Sequence, residues 1–400
     1  MINQLKYKCL WFLTDLMKVA SPRNRIGALT YVGALAGVLA PASLSHAADY
    51  QWTNVTSSAA FAARDGAGAL TLNGKMYLIG GWNPSEKINF PWITNNEVWS
   101  STDGLDWALE KSNTFKSGFD ASADWEGRHS AGYTVYNNKL WIIGGDANQR
   151  HYQNDVWNSS DGTTWTQVNP GNPVPWGPRV LHHTLTFNNK VWVMGGQTLS
   201  SLAPLPSEYN NENRYYNDVW NTADGVNWSR VTEHAAWSPR GMIGGSVVFD
   251  DKMWIVGGGT YETPDVPGRL FHNDVWSSVD GENWTQVLSN APWQPRQYHD
   301  VEVFDGRMWV IGGWNWGDLD DVWSSTDGIN WEQLSGTPWT ARHASSAFVY
   351  DDSLWIVAGS VMQNDVWRLS AVPEPASALL LLLGWPAILL RKRTMATAAG

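Results

Sequence analysis

The sequence predicts an all-β protein, a six-bladed β-propeller. Six copies of one motif set fill most of the chain. Each copy has an Arg, a Gly-Gly pair 16 or 17 residues later (Ala358-Gly359 in the sixth copy), an acidic-Val-Trp triplet and, in five copies, an Asp-Gly-x-x-Trp segment. The second copy shows all four parts, at Arg128, Gly144-Gly145, residues 155–157 and residues 161–165. Repeats of roughly 50 residues with motifs at fixed positions such as these are typical of β-propellers.

Each copy is predicted to form two β-hairpins. In the second copy, aromatic and β-branched runs at 133–136 and 140–143 flank Asn137-Asn138, which is a strong hairpin signal. The second hairpin turns at the Asp-Gly pair. Two hairpins make one four-stranded blade. The first turn recurs at Asn73-Gly74, Asn188-Asn189, Asp250-Asp251, Asp305-Gly306 and Asp351-Asp352.

The sequence also indicates how the ring closes. The sixth copy ends at Trp367 without an Asp-Gly-x-x-Trp segment. The missing strand is found at the other end, where Trp52 to Val55 (WTNV) matches residues 165–168 (WTQV). We expect this N-terminal strand to complete the last blade, which removes an exposed sheet edge.

The pattern resembles kelch repeats and, more broadly, the propeller domain of galactose oxidase, over about residues 50–369. The resemblance implies the fold and leaves the function open, because one fold supports many functions. The copper-radical chemistry of galactose oxidase requires a tyrosine cross-linked to a cysteine. The only cysteine is Cys9, in the predicted leader, so that mechanism is excluded. No catalytic set is recognised, no cofactor or metal is predicted, and we favour a protein that is not an enzyme.

The N-terminal residues 1–47 read as a signal peptide. Lys18, Arg23 and Arg25 precede an apolar stretch at 26–40, and small residues stand before a cleavage point after Ala47. Met17 is an alternative start. The mature propeller domain is then expected at residues 48–371, in a protein exported across the inner membrane.

The C-terminus carries Pro373, Glu374 and Pro375, an apolar run at 376–390 and the basic residues 391–393. Residues 372–393 resemble the PEP-CTERM sorting signal, which exosortase-type proteases of Gram-negative bacteria read, and 394–400 would be a cytoplasmic tail. The resemblance implies an exosortase partner, transient membrane contact, and delivery to the cell envelope, outer surface or matrix. An ordinary tail anchor is the alternative.

The formal net charge is −11. An acidic chain does not favour non-specific binding to nucleic acid. We expect a monomer without a nucleic-acid partner.

Only two connections in each repeat vary in length, and both are expected on the same face. Loops on a rigid scaffold usually carry function, so this face is the expected working face. Aromatic rings there suit stacking on sugars, and polar groups suit hydroxyl contacts. Packing between loops is an equal alternative. The candidate ligand-binding residues are Trp82, Trp92, Tyr209, Arg214, Tyr215, Tyr216, Tyr261, His272, Trp314 and Trp316.

The repeat arginines are candidates for the mouth of the central channel, where they could hold an anion. Each repeat also supplies one acidic residue, so we favour structural Arg–acid pairs. His299 and His343 are channel-mouth candidates too, with hydrogen bonding as the favoured role. The arginines are Arg64, Arg128, Arg179, Arg240, Arg296 and Arg342.

Three functions are compatible with the sequence. The favoured hypothesis is a propeller that binds glycan, exopolysaccharide or another matrix component. The alternatives are a carbohydrate-active enzyme, such as an epimerase or mutarotase, and a protein-docking scaffold. An enzyme would need an acid–base set drawn from groups such as Arg296, His299, Glu302 and His343. A calcium site at Asp318, Asp320 and Asp321 is disfavoured.

Overall fold

Six four-stranded antiparallel sheets form the blades of a β-propeller. The computed structural model describes residues 49–83, 93–115, 119–147, 151–198, 214–241, 245–261 and 268–372. Regular secondary structure within these ranges consists of strands, which confirms the predicted fold class. No helix in the described ranges has the length and apolar character needed to cross a membrane.

Five blades take their four strands from one repeat each, and the sixth combines the two ends of the ring. The third blade also carries a separate two-stranded sheet. Blade one contains β2 (Gly68–Leu72), β3 (Lys75–Ile79), β4 (Val98–Ser101) and β5 (Ala108–Lys111), and blade two contains β6 (Gly132–Tyr136), β7 (Lys139–Ala147), β8 (His151–Ser159) and β9 (Thr166–Gln167). Blade three contains β10 (His183–Phe187), β11 (Lys190–Met194), β14 (Val219–Thr222) and β15 (Trp228–Thr232), with the extra pair β12 (Gln197–Thr198) and β13 (Arg214–Tyr215), and blade four contains β16 (Ser246–Phe249), β17 (Lys252–Thr260), β18 (Leu270–Ser278) and β19 (Thr285–Leu288). Blade five contains β20 (Asp300–Phe304), β21 (Arg307–Trp314), β22 (Asp318–Ser325) and β23 (Glu332–Leu334), and blade six contains β24 (Ser346–Tyr350), β25 (Ser353–Val357), β26 (Val366–Ala371) and the N-terminal β1 (Tyr50–Thr56).

The first hairpin of every blade turns where the sequence predicts. In blade two, Asn137 and Asn138 have φ of 48° and 54°. Asn, Asp and Gly tolerate this left-handed conformation, which two-residue hairpin turns require. The equivalent pairs in the other blades have positive φ as well.

The second hairpin is closed by the Asp-Gly turn, which also contacts the preceding blade. The Asp161 carboxylate accepts hydrogen bonds from the next two backbone N–H groups that follow Gly162, each at 2.8 Å. Gly162 has φ of +79°, and a Cβ there would lie 2.7 Å from the ring of Tyr77 in blade one. Both the conformation and the close approach therefore require glycine.

The ring closes through β1, as predicted. β1 pairs antiparallel with β26, with Trp52 opposite Leu369. The N–H of Val372 also donates to the carbonyl of Asp49 at 2.6 Å. The sixth blade is thus completed by the N-terminal strand, and the ring has no open edge at the junction.

The hydrophobic core lies between adjacent blades. Tyr77 and Val98 of blade one, for example, share a cluster with Leu140 and Ile142 of blade two. Each blade also has one edge-to-face aromatic pair, in which a ring three residues before the repeat Arg meets the tryptophan after the Asp-Gly turn. The pairs are Phe61–Trp107, Trp125–Trp165, Trp176–Trp228, Trp237–Trp284, Trp293–Trp331 and Trp339–Trp52.

Candidate functional site

The repeat arginines are buried and paired. In every blade, Nη1 donates to the carbonyl of the first residue of the Gly pair, or of Ala358 in blade six, at 2.8–3.0 Å. The guanidinium also contacts the acid of the same repeat at 2.5–2.8 Å. These six pairs, called here the arginine staple, are Arg64–Glu97, Arg128–Asp155, Arg179–Asp218, Arg240–Asp274, Arg296–Asp321 and Arg342–Asp365.

Blade five shows the geometry of the arginine staple in full. Two nitrogens of Arg296 donate to the two carboxylate oxygens of Asp321 at 2.5 and 2.7 Å. Trp323 Nε1 donates to the same carboxylate at 2.7 Å. Burial raises the pKa of Asp321, but the Arg296 hydrogen bonds and charge outweigh it and hold that pKa below its usual value. The favoured structural pairing is therefore what the structure shows, and none of the six guanidinium groups is free to hold an anion at the channel mouth.

A second feature lies two residues after five of the six repeat arginines, and the sixth such position, 242, lies outside the described residues. The N–H of Leu181 donates to the carbonyl of Ser130, Ser130 to Gly66, Gly66 to Ala344, and Ala344 to Tyr298, at 2.8–3.0 Å. All five residues have positive φ, between 49° and 61°. Leucine and tyrosine rarely adopt this conformation, and such outliers cluster at functional sites. We call these residues the axial ring, because each hydrogen bond links one blade to the next around the central axis.

Four residues of the axial ring, Ser130, Leu181, Tyr298 and Ala344, line a cavity of about 410 Å³, called here the loop-face cavity. Its remaining walls come mainly from two repeat positions, the residue after the Arg and the residue after the Gly pair. In blades one and two these positions form backbone bridges, Asp65 with Trp82 and His129 with Asp146. The other side chains that line the cavity are Tyr152, Val180, Gln197, Tyr261, Arg269, Trp314 and His343.

One cavity carboxyl group is held without a partner. The described residues give the Asp65 side chain no hydrogen bond or ion pair, and burial raises its pKa to about 7. His129 is next to it in the cavity wall, and burial lowers the pKa of that imidazole. At neutral pH, Asp65 can therefore donate a hydrogen bond to a ligand as well as accept one.

Two aromatic rings contact a cation in the cavity wall. The Arg269 guanidinium lies 4.3 Å from the Tyr261 ring centroid and 4.6 Å from that of Trp314. The hydroxyl groups of Tyr261 and Tyr298 contact each other. Beyond Trp314, the ring of Trp316 is 70% exposed and contacts Phe271. The cavity thus continues outward as an aromatic shelf of Phe271 and Trp316.

His343 is held at the cavity rim by an acid. Its Nδ1 lies 2.5 Å from Asp318 Oδ1, and the other Asp318 oxygen accepts from Ser360 at 3.1 Å. The ring of His343 also packs against Tyr298. Asp318 therefore fixes the orientation of the imidazole, while the opposite ring nitrogen is left for other contacts.

The structure places the sequence-predicted ligand residues in several different environments. Trp82, Tyr261, Trp314 and His343 line the loop-face cavity. The described residues do not include Trp92, Tyr209 or the sorting residues Pro373, Glu374 and Pro375. The Arg214 side chain also lies outside the described part of the chain.

Three other candidates lie behind the cavity wall rather than in it. Tyr215 donates to Gln197 at 3.0 Å and accepts from the N–H of Tyr261, so it supports the wall. Tyr216 is stacked beneath Arg179 of the arginine staple, 4.1 Å from the ring centroid. His272 bridges to the backbone of Arg296.

The acid–base set considered for an enzyme is not assembled. Arg296 is held in the staple, and His299 is buried with its Nε2 2.9 Å from the Val256 carbonyl. Glu302 lines a separate, deeper part of the channel. Only His343 faces the loop-face cavity.

The acidic run considered for calcium is also divided between roles. Asp321 belongs to the staple and Asp318 binds His343. The described residues contain no group of three or more metal-ligating His, Cys, Asp or Glu side chains.

Sequence reasoning missed several of the polar cavity residues, namely Asp65, Asp146, Gln197 and Tyr298. A signal for some of them was present. The residues after the Arg and after the Gly pair vary between copies, although they stand beside the least variable residues of the repeat.

No family model matches the chain. Host cell factor 2 of Homo sapiens is 25% identical over 202 residues, which cover 46% of this chain and 24% of that protein. Kelch domain-containing protein 1 of Homo sapiens is 23% identical over 283 residues, or 63% of this chain and 62% of that protein. The chain thus spans less than two thirds of either relative. These similarities and the six-bladed ring support a kelch-type β-propeller.

Proposed function

We propose that this kelch-type propeller binds a saccharide in the loop-face cavity and does not catalyse a reaction on it. The observation that carries the proposal is the composition of the cavity. Aromatic side chains of Trp82, Tyr152, Tyr261 and Trp314 share one space with the unpaired carboxyl group of Asp65. Sugar rings present apolar faces that stack on aromatics and hydroxyl groups that need donors and acceptors.

The size and rigidity of the cavity support the same proposal. A volume of about 410 Å³ is within the usual range for small-molecule sites. The axial ring and the arginine staple fix the backbone on which the cavity residues stand. A preformed site reduces the entropy lost on binding. The aromatic shelf of Phe271 and Trp316 offers a place for a second sugar.

The location of the protein is part of this proposal. The basic and apolar leader at 1–47 and the PEP-CTERM-like segment at 372–393 support export to the envelope, surface or matrix of a Gram-negative cell. There the ligand would be a glycan or exopolysaccharide, and the sorting partner an exosortase-type protease.

An enzyme is the second candidate, and the His343–Asp318 pair favours it. An imidazole oriented by a carboxylate at a cavity rim is a possible general base. A saccharide whose anomeric or ring carbon came within reach of His343 could be isomerised. The test is the loss of turnover in His343→Asn, measured by proton NMR on each sugar that binds.

A glycan array tests saccharide binding by the purified protein, with and without calcium. We expect specific signals that Trp314→Ala reduces about tenfold or more, since aromatic anchors dominate such sites. Ile329→Ala is the control, because Ile329 is exposed in the Asp-Gly turn of blade five, away from the cavity. A blank array, or signals unchanged in Trp314→Ala, would remove the proposal and leave protein docking through the exposed Trp316 and Leu270.

A further inference from the structure

Arg269 differs from the other arginines around the axis. The six staple arginines each contact a carboxylate, whereas Arg269 has no ion pair or hydrogen bond with any described residue. Its contacts are with two rings, Tyr261 at 4.3 Å and Trp314 at 4.6 Å. Within the described part of the cavity, Arg269 is thus an unpaired cation held in place by aromatic stacking.

The stacking determines which part of the guanidinium is available. A guanidinium group is planar, and its five N–H donors lie at its edges. Tyr261 and Trp314 lie close enough to engage the guanidinium through cation–π contacts. Rings that occupy its faces leave the edge donors for a partner in the cavity. A forked edge of this kind matches a carboxylate by two parallel hydrogen bonds.

Two carboxyl groups, Asp65 and Asp146, line the cavity together with this cation, and neither forms an ion pair with Arg269. Asp65 makes no contact with Arg269, although both groups influence the titration of Tyr261. Burial keeps the pKa of Asp65 at about 7, so at neutral pH it is partly protonated and repels an anion less than a free carboxylate would. The cavity therefore presents both a cation and a hydrogen-bonding carboxyl group to a ligand.

We propose that the saccharide bound in this cavity is an acidic one, a uronate whose carboxylate is bound by Arg269 while Asp65 contacts its hydroxyl groups. This inference rests on the saccharide-binding function proposed above and names the class of sugar. The long-range field of a chain with formal net charge −11 opposes an anionic ligand. A preference for the uronate would therefore have to arise from local contacts in the cavity.

Isothermal titration calorimetry of the purified protein with two matched ligands tests the inference. Methyl galactoside and methyl galacturonide differ only at the carbon that carries the hydroxyl or the carboxylate. A charge-assisted hydrogen-bonded pair should favour the uronate by about tenfold or more. Arg269→Gln should reduce this ratio to about one, and Arg269→Lys should restore it only in part, because the fork is lost. Arg230→Gln is the control, since Arg230 is 48% exposed and pairs with Glu233.

Two results would overturn the inference. If the protein bound both ligands equally, or if Arg269→Gln kept the preference for the uronate, Arg269 would not be the specificity residue. Absence of binding for these ligands and for glucose, glucuronate and mannose would instead remove the saccharide-binding function itself. A sulfated galactoside that bound better than the uronate would show that the anion is not a carboxylate.

Discussion

The arginine staple and the walls of the loop-face cavity come from adjacent residues of the same repeat, but they behave differently. Arg296 and its five counterparts each bind the acid of their own repeat and the carbonyl of the first residue of the Gly pair, or of Ala358 in blade six. The next residue is Asp65 in blade one, His129 in blade two and Val180 in blade three. Repeat positions with the same residue in every blade therefore hold the blades together. Positions whose residue differs from blade to blade face the cavity. Three tests, two by substitution and one by pH, can break or sharpen this comparison and are ordered by their expected effect on the free energy of unfolding.

The largest effect is expected for Asp321→Asn. The substitution leaves the Arg296 charge buried without a carboxylate, which costs about 3–5 kcal/mol. Urea unfolding measures the change, and Asp320→Asn is the control because its exposed side chain should change stability by less than about 0.5 kcal/mol. A loss below about 1 kcal/mol would contradict the structural role of the staple. If the variant does not fold, the double variant Arg296→Met, Asp321→Leu should recover part of the stability.

A smaller effect is expected from pH. Burial raises the pKa of Asp300 to about 7 and that of Glu302 to about 8. His182 and His183, also in this part of the channel, have pKa values lowered to about 3. Above pH of about 7 both histidines are neutral in the folded and unfolded states.

The sign of the pH effect follows from proton binding. The unfolded carboxyl groups have lost their protons by pH of about 5, while the folded ones keep them to higher pH. Once the histidines are neutral, stability should therefore fall as the pH rises from about 6.5 and level off above about pH 8, with a slope of up to about 1.4 kcal/mol per pH unit from Glu302 and a smaller one from Asp300, whose folded pKa is reached first. Thermal unfolding across this range tests it, and Glu302→Gln should flatten the slope. If stability rose with pH over this range, or if Glu302→Gln left the slope unchanged, the raised pKa values assigned to Asp300 and Glu302 would be wrong.

The smallest effect, and one of opposite sign to Asp321→Asn, is expected for Asp65→Asn. At pH 8 the wild-type protein holds an ionised Asp65 that burial disfavours, so removing the charge should stabilise the fold by about 1 kcal/mol. Saccharide affinity should fall in the same variant. Arg269, Tyr261, Asp146, His129 and His343 face the same cavity and stay unchanged. Destabilisation by Asp65→Asn would show that this residue belongs with the staple and not with the site.

The fold could be predicted from the sequence because its determinants are local and strictly spaced. Asn137-Asn138 fixes a hairpin, Gly162 fixes a turn against the preceding blade, and the match between Trp52 and Trp165 predicts the closure. The arginine–acid pairs were predictable for the same reason, since each repeat supplies one of each.

The candidate site was predicted less completely, for a physical reason. Trp82, Tyr261, Arg269, Trp314 and His343 stand out by type, but Asp65 does not. The direction in which Asp65 points depends on the left-handed backbone at Gly66 and its counterparts, which spacing does not reveal. The role of Arg269 depends on two rings from different blades, Tyr261 and Trp314, and no single repeat contains both.

The closure of the ring also fixes the direction in which the site faces. Asp49 and Val372 are hydrogen-bonded neighbours at the end of β1 and β26, on the side of the hairpin turns and opposite the loop-face cavity. A tether attached at either end of the ring would hold the molecule by the face that carries the hairpin turns. The cavity would then point away from the anchoring surface. Many copies attached side by side would all present their cavities in the same outward direction.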